Sequence, residues 1–353
     1  MSTLAVSATA MEGRQVVLQP WALSRAAWKD LATPANGATL YHDERWIALL
    51  EQTYGFEVTV AGIHEGRELA AGCVLARTKN PLNPRLVALP FSDNCPPLAT
   101  EPALIPLLAD HLIAQVPPRG GYEIRGFALP APWQTVDCFG EWTINLTRPV
   151  AELSRRSATH FRRQVRRALK SGLTVRCSSS LEDLHHFYRL MMETRHRKGL
   201  PVQPMRFFKY AHELFAPAGD IEIWSVREGA TVVAVALILR AFDCLHYKWS
   251  ARHDHGPSGA AHLLLWNVIE RHAGVTGWLN LGRTDLRNAG LVRFKKDMGA
   301  EAAALPSSFY PTAPNQISAE MLSGPMAVLS QVWRHLPPIA ARALSSAIYR
   351  YMA

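Results

Sequence analysis

Hydrophobic and polar positions follow two periods along this chain, one helical and one of alternating residues, and the two take turns from end to end. A short strand is predicted near Val16–Leu18, then a helix from about Ala38 to Tyr54 with Trp46, Leu49 and Leu50 on one side. Strands follow at about Phe56–His64, Leu69–Thr78 and Arg85–Leu89, the first two joined by a Gly66-containing loop of hairpin length. A helix at Ala103–Gln115 and strands at Tyr122–Phe127 and Trp142–Leu146 close the first half.

The second half repeats that order. Helices at Leu181–Arg197 and Met205–Phe215 precede strands at Ile221–Arg227, Thr231–Leu239 and Phe242–Ser250. A helix from about Ser258 to His272, a strand at Gly277–Leu281, a short helix near Leu291–Met298 and a last strand near Ala302–Phe309 complete it. Helix, hairpin, strand, helix, strand occurs twice, which predicts two similar α/β domains: a repeat of fold rather than of letters. The expected division is an N-terminal domain over 1–150, a basic linker helix over 151–172, a C-terminal domain over 173–312 and a helical tail over 313–353.

Charge changes the picture of the linker and the tail. Residues 1–147 hold 10 Lys and Arg against 14 Asp and Glu, whereas residues 148–353 hold 28 against 15, so the net +9 belongs to the second half. Such asymmetry points to an anionic partner: nucleic acid, a phosphorylated small molecule or an acidic membrane surface. In Ser154–Gly172 an apolar face of Ala158, Phe161, Val165, Ala168 and Leu169 is surrounded by Arg155, Arg156, Arg162, Arg163, Arg166, Arg167 and Lys170. That helix is either a linker with a solvated basic face or the rim of an anion site. Runs at Met321–His335 and Ile339–Tyr351, separated by Pro337-Pro338, read as basic amphipathic helices that either cover a core or oligomer contact or lie at a membrane interface.

Other compositional features exclude classes. With 48% apolar and 19% charged residues the chain is globular, not disordered. No stretch reaches the roughly 18 consecutive apolar residues of a membrane span. The first twenty residues lack the basic start and apolar run of a secretory signal, so the expected location is the cytoplasm, with peripheral attachment at the inner face of the membrane as an option. Five scattered cysteines with no C-x-x-C pair argue for reduced thiols.

The chemistry concentrates in Tyr247–Tyr310. A loop, His253-Asp254-His255-Gly256-Pro257-Ser258-Gly259, opens into the apolar helix that follows. Such a helix start offers free backbone N–H groups and a positive dipole end to phosphate or carboxylate; alternatively Ser258 is an ordinary N-cap. His253 and His255 lack a third ligand at supporting spacing, and no metal is expected.

Leu281-Gly282-Arg283-Thr284, Phe294-Lys295-Lys296-Asp297-Met298-Gly299-Ala300 and Phe309-Tyr310 resemble, in order and spacing, the late motif of the FemAB-like aminoacyl/acyltransferases of the GNAT superfamily. Leu86–Phe91 with Pro96-Pro97-Leu98, Arg197–Pro201 and Phe161–Ala168 resemble earlier segments of that family, and the similarity is greatest to the BioF2-like branch associated with exopolysaccharide and protein-sorting loci. Asn280 departs from the usual Asp, Asn94-Cys95-Pro96 stands where a Gly-Gly pair often lies, and the coiled-coil insertion of the peptidoglycan relatives is missing. The loop at Arg252–Gly259 is only loosely similar to the pyrophosphate loop of acetyltransferases, its glycines being displaced.

The resemblance implies an α/β (α+β) fold of two tandem GNAT-like domains, each a mixed central sheet flanked by helices, plus the C-terminal helical tail. It implies transfer of an acyl or aminoacyl group from an anionic carrier to an amine of a saccharide or peptidoglycan-type precursor in the cell envelope, without a covalent enzyme intermediate. Acyl-CoA, acyl carrier protein or aminoacyl-tRNA would be a co-substrate, with no permanently bound cofactor. Such chemistry needs a proton acceptor and fixed geometry. The candidate bases are Asp93, then His253 and His246. Arg283, Arg293 and Lys295 are the expected anion contacts, extended by Lys248 and Arg252, with Tyr247 and Tyr310 against the acceptor and Gly256, Ser258 and Gly259 at the carrier. The competing reading is a nucleic-acid-binding protein or a membrane-associated envelope scaffold without catalysis.

Overall fold

The computed structural model describes residues 14–80, 84–117, 120–314 and 325–352. These form two compact units. The first comprises residues up to Asp137 with Leu305–Asn315 and Arg350–Ala353; the second comprises Cys138–Ala304 with Gln316–Tyr349.

The first unit opens with strand β1 (Arg14–Pro20), helix α1 (Trp21–Leu31), helix α2 (Glu44–Tyr54), β2 (Val58–Glu65) and β3 (Glu68–Arg77). It continues through β4 (Leu86–Val87), β5 (Leu98–Ala99), α3 (Leu104–Ala114), β6 (Tyr122–Arg125) and β7 (Gln134–Val136). The hairpin β2–β3 turns at Gly66, whose φ of 63° favours a residue without Cβ. The helix expected from Ala38 starts only at Glu44, because the Asp43 side chain accepts from the Arg45 amide and caps it there. Helix α1 was not predicted, although Trp21, Ser24, Trp28 and Leu31 are its buried positions at helical spacing.

The second unit begins with β8 (Phe139–Asn145), α4 (Val150–Arg156), α5 (Thr159–Lys170), β9 (Thr174–Ser178), α6 (Leu181–Arg197) and α7 (Met205–Phe215). Then come β10 (Ile221–Glu228), β11 (Thr231–Ala241), β12 (Cys244–Arg252), α8 (Ala260–His272), β13 (Trp278–Asp285), α9 (Ala289–Asp297) and β14 (Glu301–Ala304). Strand β15 (Ser307–Tyr310) returns to the first unit, and helices α10 (Pro325–His335) and α11 (Pro338–Ile348) end the chain. The predicted tail helix began at Met321; Met321–Gly324 lie outside the described residues.

The two sheets share one order. The first reads β1-β2-β3-β4-β6-β15-β7, with β5 on β3; the second, from the opposite edge, reads β9-β10-β11-β12-β13-β8-β14. In each, one parallel pair (β4 with β6, β12 with β13) stands among antiparallel neighbours. In each, the strand next to the last is borrowed. Strand β15, which follows the second unit in sequence, inserts between β6 and β7, and β8, predicted to close the first half, inserts between β13 and β14.

The single strand expected over Ala302–Phe309 is therefore two strands in two sheets, divided at Leu305-Pro306. The expected helix over Ser154–Gly172 is likewise two helices, since Ser157 and Ala158 are extended. Phe161, Val165 and Ala168 of α5 are buried against α8 and the sheet, as the apolar spacing predicts, while Leu169 is exposed. Strand β11 is buried over nearly its whole length, as a central strand covered on both faces must be.

Candidate active site

Strands β12 and β13 run side by side for three residue pairs only, Cys244 with Trp278, Leu245 with Leu279 and His246 with Asn280. Two irregularities accompany their parting. In β12 the register against β11 slips between Trp249 and Tyr247, leaving Lys248 as an extra residue; in β13 an extra residue falls at Leu281–Gly282. The second bulge is braced from both sides. The Gly282 amide donates to Asn280 Oδ1 at 2.7 Å, and the Lys295 ammonium donates to the Gly282 carbonyl at 2.8 Å. Asn280 Nδ2 in turn donates to Glu141 of the borrowed strand β8 at 2.8 Å.

Beyond the fork lies a cleft of about 660 Å³ within the second unit. Its floor is Val233–Val235 of β11 and Tyr247 and Ser250–Arg252 of β12, and one wall is Thr194, Arg197 and Lys198 at the end of α6. The loop His253–Gly259 and the start of α8 form the other side, with Gln164 of α5 and Phe294 of α9. The carboxyl end of a parallel pair, followed by a helix start, is where open α/β sheets hold ligands.

Local chemistry explains how the loop reaches that position. Gly259, the α8 N-cap, has φ 88°, and a Cβ there would stand 2.4 Å from the Gln164 carbonyl oxygen, so no other residue fits. The Ser258 hydroxyl is not the cap; it donates to Gln164 Oε1 at 3.0 Å and ties the loop to α5. Thr194 donates to the Arg252 carbonyl at 3.1 Å, tying α6 to the end of β12. The first-turn amides of α8 have no intrahelical acceptor.

The cleft is cationic on one side. Desolvation and then the charges of Arg195, Arg197 and Arg252 hold the Lys198 ammonium below its ordinary value. Arg197 lies 3.4 Å from Asp254, a carboxylate too exposed to neutralise the group. Tyr247 is half-buried; its desolvation raises the phenol, against a hydrogen bond with Ser250 that lowers it. His262, on the first turn of α8, packs against Phe294, Phe161 and His160 at ring distances of 5.2, 5.4 and 6.2 Å. Burial and then His160 push it down to about 4, so it is neutral near pH 7.

Of the residues singled out in the sequence, Tyr247, Arg252, His253, Gly256, Ser258 and Gly259 line this cleft. The other candidates lie elsewhere. His246 is buried in the last pair of the β12–β13 ladder, and Lys248 is the bulge residue. Arg283 stacks over Phe139 with 4.3 Å to the ring centroid, and Arg293 is exposed, 4.0 Å from Asp297. Lys295 is buried on the Gly282 carbonyl, so the three cations expected to converge point to three different tasks. Asp93 and Tyr310 belong to the first unit. There Asp93 accepts from Tyr41 Oη at 2.9 Å, and Tyr310 packs against Trp133 with 5.6 Å between rings.

Sequence reasoning missed His262, Lys198 and Thr194. His262 is masked by the apolar run around it, although its place four residues after Ser258 puts it in the first turn of the suspected anion-facing helix. Among the described residues no group of three His, Cys, Asp or Glu side chains is arranged to hold a metal.

Known proteins match this arrangement. Residues 155–296, which contain the whole cleft, match the model of the GNAT acetyltransferase domain. None of the curated proteins matches the chain in sequence. Among solved structures the chain is similar to FemX, with a TM-score of 0.60 at 16% identity over 84% of this chain and 96% of that one. It is similar to a tandem GNAT protein from the clavulanic acid biosynthesis pathway, TM-score 0.54 at 11% identity, covering 85% of this chain and 100% of that one. The L-PGS of Bacillus licheniformis aligns with a TM-score of 0.51 at 14% identity, over 82% and 95% of the two chains. At these identities the structures speak for the fold and the domain match speaks for residues 155–296: the chain has the tandem fold of FemX and of the tandem GNAT protein, and its second unit carries a GNAT-type acetyltransferase domain.

Proposed function

We propose that this protein transfers an activated acyl or aminoacyl group from an anionic carrier to an amine of a cell-envelope or polysaccharide precursor, by direct attack. The observation that carries the reading is the fork of β12 and β13 opening into a cleft that is closed at one end by a helix start and flanked by Arg197, Lys198 and Arg252. Past His246, β13 no longer covers that edge of β12. An extended amide-bearing arm, such as that of coenzyme A or an acyl carrier protein, can pair with it as an added strand would. The carrier's phosphates then meet the α8 amides and the cations at the rim.

In this reading the cleft residues divide the work. His253 takes the proton as the amine attacks, being the one of the three candidate bases that lines the cleft. Tyr247, neutral and half-buried, donates to the oxygen that gains charge. His262, neutral between two phenylalanines, keeps a further cation away from the attacking nitrogen. The likeness to FemX and L-PGS supports an aminoacyl donor as well as an acyl one. The exposed Arg163, Arg166, Arg167 and Lys170 of α5 would suit a nucleic-acid carrier, while Arg156 is paired with Glu301 and Arg162 is folded onto the Ser154 and Ser157 carbonyls.

The test is to incubate the purified protein with a panel of labelled acyl-CoAs and aminoacyl-tRNAs and an amine acceptor mixture, alongside the Lys198→Ala/Arg252→Ala variant. Consumption of one donor class, weakened in the variant at low donor concentration, supports the reading. A panel left intact, or consumed equally by the variant, removes it.

A further inference from the structure

Helices α10 and α11 spend one face on the protein and leave the other bare. Inward, Trp333, Ala341 and Ser345 are buried. Ser330 donates to the Lys198 carbonyl at 3.4 Å, the His196 ring meets the Leu336 carbonyl at 2.8 Å, and the Val202 amide donates to Ser345 Oγ at 3.2 Å. The helices are thus fastened to the end of α6 and the connection that follows it.

Outward, Val332, Ile339 and Leu344 are 54%, 78% and 43% exposed, and exposed Ala343 and Ala347 continue the row of Ile339 at i+4 and i+8. Arg334, His335 and Arg342 stand exposed beside them, and residues 321–353 contain neither Asp nor Glu. Next to this face, a mainly apolar recess of about 220 Å³ is lined by Met192, Leu200, Val202, Trp333 and Ala341, with Glu193, Arg195 and Arg342 also among its lining residues.

A helix pair made only to face water carries charges of both signs and no bare isoleucine row. Two helices with basic side chains and no acidic ones, an apolar row and a recess in which Arg195 and Arg342 outnumber Glu193 are instead the complement of a surface that is negative outside and hydrocarbon within. We propose that α10 and α11 lie in the interface of an anionic phospholipid bilayer, with Arg334 and Arg342 at the headgroups, Val332, Ile339 and Leu344 among the upper acyl segments, and the recess taking the end of one chain. No described helix is long and apolar enough to cross a membrane, so the contact is interfacial.

The docking has a consequence for the cleft. The last turns of α6 carry Thr194, Arg197 and Lys198 on the cleft and Met192, Arg195 and His196 on the recess, so a single helix separates them. A lipid-borne amine would be delivered there. That consequence rests on the transferase reading, whereas the bilayer contact does not.

The experiment is co-sedimentation of the full chain with phosphatidylcholine vesicles and with vesicles half phosphatidylglycerol. Binding is expected to the anionic vesicles only, reversed by about 0.5 M salt, and reduced about tenfold in Ile339→Ser/Leu344→Ser and in Arg334→Glu/Arg342→Glu. Both pairs are exposed, so melting temperature and transfer to a water-soluble amine stay at the parental level and separate this question from catalysis. Phosphatidylglycerol brominated in its chains is expected to quench Trp333, seen as the difference from Trp333→Phe. Three results would overturn the proposal: no binding to the anionic vesicles, binding unchanged in Ile339→Ser/Leu344→Ser, or a dimer by light scattering that becomes a monomer in that variant. The last would assign the face to a second copy of the chain.

Discussion

The Lys295 ammonium, carried by α9, donates to the Gly282 carbonyl in the bulge of β13 at 2.8 Å, with Lys295 only 5% exposed. A charge removed from water in this way braces the bulge at the fork on which the cleft depends. Lys295→Met keeps the length and loses the donor. It is expected to lower stability by about 1–3 kcal/mol, measured by chemical denaturation, and to raise the donor KM as the fork relaxes. Unchanged stability would return Lys295 to the role of a substrate contact.

The cationic rim makes a separable prediction. Lys198→Ala/Arg252→Ala is expected to raise the KM for the donor about tenfold, or ~1.4 kcal/mol, with a smaller change in kcat and an unaltered melt. The dependence of KM on salt should flatten at the same time. A salt dependence identical to that of the parent would mean that the carrier's charge is read elsewhere.

His253 and His262 can be told apart by substitution. His253→Gln is expected to cost about 10²–10⁴ in kcat/KM. His262→Gln should leave kcat/KM near the parental value, because a ring whose pKa is pushed down to about 4 carries no charge over the working range. A large loss in His262→Gln with parental turnover in His253→Gln would reverse the assignment of the base.

His42 sets an acid limit on the first unit. It is fully enclosed; Nδ1 accepts from the Thr39 amide and Nε2 meets the Pro96 carbonyl, each at 2.9 Å, which is the pattern of a neutral ring. Burial pushes its pKa down to about 4, against the hydrogen bond to the Pro96 carbonyl, which raises it. Below pH 6.5 the unfolded chain binds a proton there that the folded chain refuses, so stability is full above 6.5 and falls as pH drops toward 4. The loss amounts to about 3 kcal/mol over that window. His42→Asn should flatten this part of the stability–pH curve; a curve of unchanged slope would show that other groups set the limit.

Gly259→Ala forces a Cβ toward the Gln164 carbonyl from a left-handed backbone. The backbone alone costs about 1–2 kcal/mol, and the loop must move besides. A lower melting temperature together with weakened donor binding is expected. Parental donor affinity would show that the loop is not where the carrier sits.

Much of this was legible in the sequence and the remainder was hidden for identifiable reasons. Helices α6 and α7 match their predicted limits because Ser180 caps the first and Pro204 precedes the second. The strands β10 and β11 are equally plain, since Glu228-Gly229-Ala230 announces the turn between them. What alternation cannot reveal is a strand's partner, so the destinations of Phe139–Asn145 and Ser307–Tyr310 were unreadable. Lys295 was hidden for a similar reason: a lysine on a short basic helix beside Arg283 and Arg293 reads as an anion contact, and only the bulge opposite gives it a reason to be buried. The cleft was half visible, because Gly256, Ser258 and Gly259 mark a helix start, whereas Thr194 and Lys198 come from a helix more than fifty residues earlier.

The borrowed strands have a consequence for how the molecule comes into being. Among the described residues strand β7 pairs with β15 alone, and β6 lacks that neighbour until residues 307–310 exist. On the ribosome the first sheet therefore waits, with an unprotected edge, until almost the whole chain has been made, while the second can complete itself a few residues sooner. Severing the message after residue 150 would leave the downstream product without Phe139–Asn145, so that β14 has no neighbour. A fragment of 138–349 should fold cooperatively where 151–349 does not. A gene encoding either lobe in isolation would need to carry a copy of the other's strand.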